Sequence, residues 1–270
     1  MTDTSRPHVL VCVKRVPGSS GQILLSQDGQ SVDTRHVGYT TSPHEECAVE
    51  AAVQLAADHD GTATVLTLGP NDAIEQLRDA LAMGVTSAVH LTTGEEGSGD
   101  AYGPADVAAA IAGLCRQRAE AGTGFDLVLL GNDAADTGDF QVGVRLAYLL
   151  GVPVVTGVRN LTVVAGPSGP VVHAVGDGPD GTEEYELPLP AVLTVKEGEI
   201  SPRYPSIPGR LKAKKAPVEV QPAPAVADGT GRRRLVLPPE ASSSVQILGT
   251  GPEAAAALVD VLEQIGVVSR

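Results

Sequence analysis

The stretch "GNDAADTGDFQVG" (131–143) carries residue types that could bind a nucleotide. It follows an apolar run, "DLVLLG" (126–131), and enters a helical pattern near Phe140. Backbone N–H groups at such a strand-to-helix turn can cradle phosphate oxygens, and the helix dipole favours negative charge there. The plain alternative is a solvated acidic turn that only caps a helix. Two more loops leave strand-like runs. One is "KRVPGSSG" (14–21), whose Lys14 and Arg15 stand where a phosphate or a partner's acid could be met. The other is "GPND" (69–72), at a helix start.

Other chemistries find no support. No GxGxxG links a strand to a helix, no GxxxxGK with Ser or Thr occurs, and no SGGxDS-type pyrophosphate loop is present. Neither a GxSxG elbow nor a His/Cys cluster at metal spacing is visible. The six histidines are scattered, and His44, His90 and His173 read as structural. Cys12, Cys47 and Cys115 are widely spaced with no CxxC and read as buried free thiols.

The elements that would position these loops alternate regularly. "HVLVCV" (8–13), "ATVLTLG" (63–69), "SAVHLT" (87–92), "DLVLLG" (126–131) and "VPVVTGV" (152–158) read as buried strands. Between them lie helical patterns at 42–59, 71–84, 105–122 and 140–151. The first is the best marked: Ser42 can cap, Pro43 fits the first helical position, and Glu45 completes a capping box. Asn71 reads as the cap of the second and Gly84 as its stop. Runs at 22–26 and 30–34 suggest a hairpin excursion. Residues 159–188 suggest an antiparallel hairpin leading into a last central strand at 190–195. The fold class expected is α/β, a Rossmann-like, mostly parallel sheet with helices on both faces. The expected domains are 1–220, then 221–270 as a Pro/Ala/Gly linker and an amphipathic helix at 251–266 packing on a partner subunit.

The formal charge is −14, from 19 basic and 33 acidic residues. This argues against general nucleic-acid or anionic-membrane binding. Residues 1–200 hold 10 cations and 27 acids, whereas 201–270 hold 9 and 6, so the C-terminal part has a different role. No secretory signal and no run of 18 apolar residues is visible, which predicts a cytoplasmic protein without membrane insertion. The basic stretch "SPRYPSIPGRLKAKKAPVEV" (201–220) is punctuated by Pro202, Pro205, Pro208 and Pro217. Composition alone leaves it open between a nucleic-acid patch, a tail and a docking surface.

Five collinear pieces, "VLVCVKRVP" (9–17), "SPHEECAVEAA" (42–52), "DALAMG" (79–84), "DLVLLGNDAADTGDFQVG" (126–143) and "LPAVLTVKEGEISPRYPSIPGRLKAKK" (189–215), resemble the beta subunit of the electron transfer flavoproteins, including the nitrogen-fixation-associated form. The likeness runs from about residue 8 to 215 and weakly at the C-terminal helix. It implies a subunit that is not an enzyme by itself. Such a subunit pairs with an alpha subunit carrying redox-active FAD and buries an AMP, or a second FAD in bifurcating members. Electrons pass from acyl-CoA or related dehydrogenases to a quinone oxidoreductase or another acceptor.

The nucleotide contacts implied by the resemblance fall on Cys12, on Ser42, Pro43, His44 and Glu45, and on Leu68. They continue through Gly131, Asn132, Asp133, Ala134, Ala135, Asp136, Thr137, Gly138, Asp139, Phe140, Gln141 and Val142. The family usually has Asn where Ser42 stands and Lys-Gln where Asn132-Asp133 stand. It often has consecutive aspartates at Asp136-Thr137-Gly138, and many members have an aromatic or acidic residue at Gly18-Ser19. The implied docking residues are Arg203, Tyr204, Pro205, Ser206, Ile207 and Pro208, a loop with an Ile anchor where the family has Leu. Lys212, Lys214 and Lys215 form a basic segment near the partner subunit. A stand-alone adenine-nucleotide sensor of the universal stress protein type would share the architecture, but its glycine-spaced phosphate motif is absent.

Overall fold

A computed structural model describes residues 6–18, 23–35, 37–95, 98–167, 169–239 and 245–268. Residues 19–21 of the first loop, Gln22 of the run 22–26, and residues 96–97 after the strand-like run 87–92 lie outside the described residues. The chain divides into two compact units, Met1–Leu235 and Val236–Arg270.

In the first unit the strands are β1 (His8–Cys12), β2 (Val16–Pro17), β3 (Tyr39–Thr40), β4 (Thr62–Gly69), β5 (Ser87–Thr92), β6 (Leu127–Gly131), β7 (Val154–Gly166), β8 (Gly169–Gly178), β9 (Gly181–Pro188), β10 (Ala191–Val195) and β11 (Glu219–Pro222). The helices are α1 (Pro43–Asp58), α2 (Ile74–Met83), α3 (Pro104–Glu120), α4 (Val142–Leu150) and α5 (Ile207–Lys215). Nine strands form one sheet in the order β11-β5-β4-β1-β6-β10-β7-β8-β9, and β2 pairs with β3 in a small antiparallel ribbon. The strands from β11 to β7 are parallel, and β7-β8-β9 continue as an antiparallel extension. Strands β5-β4-β1-β6-β10 thus follow the doubly-wound order, which turns about β1.

The near-continuous V/L runs are explained by burial on both faces. Val9, Val11, Val65, Leu127, Leu129 and Leu193 pack under α1 and α2. Leu10, Cys12, Leu66, Val128, Leu130 and Val192 pack under α3 and α4. The three cysteines are free and buried, as their apolar settings predicted.

Several local expectations change. The excursion at 22–34 reduces to one antiparallel bridge, Leu25 to Val32, around a turn at Asp28–Gly29. Asn71 opens a 3₁₀ turn without capping it; its Oδ1 instead accepts the Thr92 hydroxyl at 2.8 Å. Ile207 and Pro208 begin α5, so the expected loop 203–208 ends in a helix and the lysines form its last turn. Ser206 caps that helix by accepting Gly209 N at 3.1 Å, with proline in the first turn.

The Pro/Ala/Gly segment after residue 220 is also held. Pairing of β11 with β5 extends the sheet. Beyond it, the Asp106 carboxylate at the start of α3 accepts N–H groups from Ala227, Asp228 and Gly229 at 2.8, 3.0 and 2.7 Å, and from Gly103 at 3.1 Å. These donors, led by Asp228, hold Asp106 down at about 2. In the second unit α6 (Ala254–Gln264) has no buried residue. No helix among the described residues is long and apolar enough to cross a membrane.

Candidate functional site

The sheet turns at β1, so the chain leaving β1 and the chain leaving β6 diverge and open a crevice at the carboxyl ends of both strands. Most of the expected nucleotide residues meet there. Cys12 ends β1 in register with Leu66 on β4, and Leu68 lies on the same face two residues on. Both side chains belong to the apolar cluster under α3 and α4. Burial pushes the Cys12 thiol well up, so it acts as an apolar wall and not as a nucleophile.

The α1 N-terminus forms the second wall, and its capping box is complete. Glu45 N donates to Ser42 Oγ at 3.2 Å, and Ser42 N donates to Glu45 Oε2 at 2.8 Å. The other carboxylate oxygen, Oε1, accepts Lys14 N at 2.7 Å, which ties the chain leaving β1 to the helix. Burial raises Glu45 to about 7, against the lowering effect of these N–H donors. A side chain on Gly131 would press on Glu45 Cγ, so glycine is needed where β6 passes this wall.

The loop 131–142 supplies the third wall. Asn132 N donates to Val195 O at 2.8 Å, and Asn132 Oδ1 accepts the Thr194 hydroxyl at 2.8 Å. Ala134 accepts from Thr137 N and Gly138 N, closing a tight turn with Gly138 at φ 67°. Two polar contacts then cross the crevice. Lys14 Nζ lies 2.7 Å from Asp136 Oδ1, and His44 Nδ1 lies 2.6 Å from Asp133 Oδ1. Ala135 is exposed, Asp139 is half-buried, and Phe140 points outward at 61% exposure.

Gln141 is the α4 N-cap residue, but its side chain caps nothing. Its Oε1 accepts from Arg145 and its Nε2 donates to Asp139. The first N–H groups of α4, beginning at Val142, therefore have no side-chain cap, and a helix offers them no internal acceptor. This uncapped end offers its N–H groups and the positive end of the helix dipole to an anion.

The groups present fit an adenine nucleotide. Cys12 and Leu68 offer an apolar wall for a base, and the carboxylates can accept ribose hydroxyls. The α4 N–H groups could meet phosphate, and Lys14 neutralises the nearby Asp136. Glu45, raised to about 7, carries less negative charge near neutral pH than an ordinary carboxylate. Among the described residues no group of three or more His, Cys, Asp or Glu could hold a metal.

The expected docking residues gather elsewhere, along the start of α5. Arg203 is committed internally to Glu50 of α1. Tyr204 and Ile207 are 96% and 78% exposed. Pro205 and Ser206 set the entry to the helix, and Pro208 sits in its first turn. At the other end Arg78 of α2 donates to the carbonyls of Ala213 and Lys214 at 2.6 and 2.7 Å. Lys212, Lys214 and Lys215 are exposed.

Sequence reasoning missed Thr194, Asp106 and Arg78, each of which acts on chain remote in sequence. Of the histidines, His90 is buried against Gly69 O and His173 pairs with Glu186 on the outer hairpin, as structural roles predict. His44 instead reaches across the crevice.

The family model described as "Electron transfer flavoprotein domain" matches residues 31–226. The chain is similar to "Electron transfer flavoprotein subunit beta" of Bacillus subtilis (strain 168), at 34% identity over 78% of this chain and 77% of the relative. It is similar to the protein of the same name from Megasphaera elsdenii, at 31% identity over 96% and 97%. "Caffeyl-CoA reductase-Etf complex subunit CarD" of Acetobacterium woodii is 32% identical over 79% and 77%.

Proposed function

The chain belongs to the electron transfer flavoprotein family, among beta subunits, and we propose that it holds an AMP, or a second FAD, in the crevice between Cys12, Ser42 and the loop 131–142. It is an electron transfer flavoprotein subunit. On this reading it assembles with an alpha subunit that carries redox-active FAD. This chain supplies binding and docking surfaces, and no group of its own carries out redox chemistry. Electrons enter from an acyl-CoA-type dehydrogenase and leave to a quinone oxidoreductase or another acceptor.

The observation that carries the reading is the uncapped α4 N-terminus beside the sheet's switch point, its first residue Val142 in the same apolar cluster as Cys12 and Leu68. The bound nucleotide supplies a buried phosphate or, as FAD, a redox centre. The chain's residues line the base, accept ribose hydroxyls and neutralise charge. The relative named as part of a caffeyl-CoA reductase complex supports a redox partner that handles CoA esters. The exposed Tyr204 and Ile207 offer the anchor such a donor would cover.

Co-expression with the flavin-bearing alpha subunit tests this. A yellow heterodimer that releases one FAD and one AMP on acid extraction supports simple transfer, and two FAD support bifurcation. A chain that remains monomeric and nucleotide-free in the presence of that subunit would refute the proposal.

A further inference from the structure

Thr194 carries a relay that the loop motif does not contain. It is buried on β10, 3% exposed. Its hydroxyl oxygen accepts Gly157 N at 3.2 Å and lies 2.8 Å from Asn132 Oδ1. The buried hydroxyl accepts from Gly157 N, and its own proton has no acceptor among the described residues other than Asn132 Oδ1, which sets the direction of the relay. The carboxamide of Asn132 is therefore fixed with its oxygen on Thr194, and its backbone N–H is already committed to Val195 O. The amide Nδ2 turns away from Thr194 and has no acceptor among the described residues, although Asn132 is only partly exposed.

The surroundings reinforce this placement. Gly157 has φ 73° and stands where the pairing of β7 with β10 slips, between Val155 and Val158. That irregularity is what aims its N–H at Thr194. On the other side a Cβ on Gly143 would collide with Thr194 Cγ2, so the first turn of α4 rests on the same side chain. One threonine thus contacts both the residue that opens the loop and the helix end that closes it.

We infer that Thr194 is a positioning residue for the nucleotide: it locks Asn132 so that the amide Nδ2 donates to a phosphate oxygen. The inference rests on the nucleotide reading above and deepens it. A neutral amide adds a donor in a crevice that already holds Asp133, Asp136 and Glu45. A flipped amide would offer a lone pair instead and repel the anion.

The test titrates AMP by calorimetry into nucleotide-stripped full-length protein, co-expressed with its alpha subunit, with a thermal melt for each variant. The relay predicts that Thr194→Val weakens AMP binding by about 5- to 30-fold, the loss of one hydrogen bond to a ligand. Thr194→Ser should bind as the wild type does, because it keeps the hydroxyl. Asn132→Ala should show the same loss as Thr194→Val, and the double variant should be no weaker than either single variant.

Losses that multiply in the double variant, or a Thr194→Val protein that binds normally, would overturn the relay and leave the nucleotide reading intact. Should Thr194→Val fail to fold, Asn132→Ala and Asn132→Asp decide. The relay predicts loss in both and the greater loss in Asn132→Asp, and normal binding by Asn132→Ala overturns it. A wild-type complex that binds neither AMP nor FAD removes the nucleotide reading and the relay together.

Discussion

Arg203 grips Glu50 with both arms of its guanidinium: Nε and Nη2 each stand 2.8 Å from one oxygen of a carboxylate only 3% exposed. Arg203 N donates to the same carboxylate at 3.2 Å. The chain entering α5 is thereby fastened to the middle of α1. Burial alone would raise Glu50, but the hydrogen bonds from Arg203 outweigh it and hold Glu50 below its ordinary value.

Arg203→Ala should therefore cost about 1–3 kcal/mol near neutral pH, less than breaking a fully buried pair because the arginine is half-exposed. A carboxylate held low contributes stability above its unfolded pKa and loses it as pH falls. The deficit of Arg203→Ala should accordingly shrink below about pH 4. Urea unfolding at both pH values checks this; a deficit independent of pH would assign the loss to packing.

Glu45 has the opposite sign. Its folded value is raised to about 7, so its contribution is complete below the unfolded glutamate value and is lost as pH rises through 7. From about pH 4.5 to 8 this amounts to about 3 kcal/mol. His8, lowered mainly by burial, works in the other direction, so the wild-type curve alone is ambiguous. The difference between wild type and Glu45→Gln isolates the glutamate, and parallel curves would count against it.

Asp106→Asn should free the segment 227–229 while leaving the sheet intact. Amide hydrogen exchange at Ala227, Asp228 and Gly229 should rise sharply, because four N–H donors lose a charged acceptor. With Asp106 at about 2, the wild-type tether should persist to about pH 3 and weaken only as pH approaches 2. Unchanged protection in the variant would show that other contacts hold the segment.

Gly143→Ala should displace the first turn of α4 from Thr194. Overpacking of this kind typically costs about 1–3 kcal/mol, and AMP affinity should fall with it. A melt and a titration on the same sample separate the two effects, and an unaltered melting temperature would mean that the helix shifts at no cost.

Ile207→Ala should leave folding within about 0.5 kcal/mol, since the residue is 78% exposed. It should slow reduction by the donor dehydrogenase by the equivalent of about 1.5–3 kcal/mol of lost apolar burial. Loss of the heterodimer instead would place this residue against the alpha subunit.

Much of the crevice was legible because its signals are local. The spacing of Ser42, Pro43 and Glu45 encodes the α1 start, and the apolar runs encode buried parallel strands. The α5 helix was readable in principle from Ser206 followed by Pro208, but the clustered prolines and lysines suggest a loop first. Thr194 and Asn132 are 62 residues apart, and their contact exists only because β10 pairs with β6. Asp106 finds its donors more than 120 positions away. No periodicity records such meetings.

Glu45 and Glu50 lie on one helix, five residues or about 7.5 Å apart along its axis. The first fastens the chain at the mouth of the crevice, and the second fastens the entry to α5. The α1 helix therefore works as a ruler: on the docking proposed above, a donor seated on Tyr204 and Ile207 would be gauged against the crevice by a rigid rod and not by a run of loop. Sequence drift in the intervening loops would then change what docks there without changing how far its electrons travel.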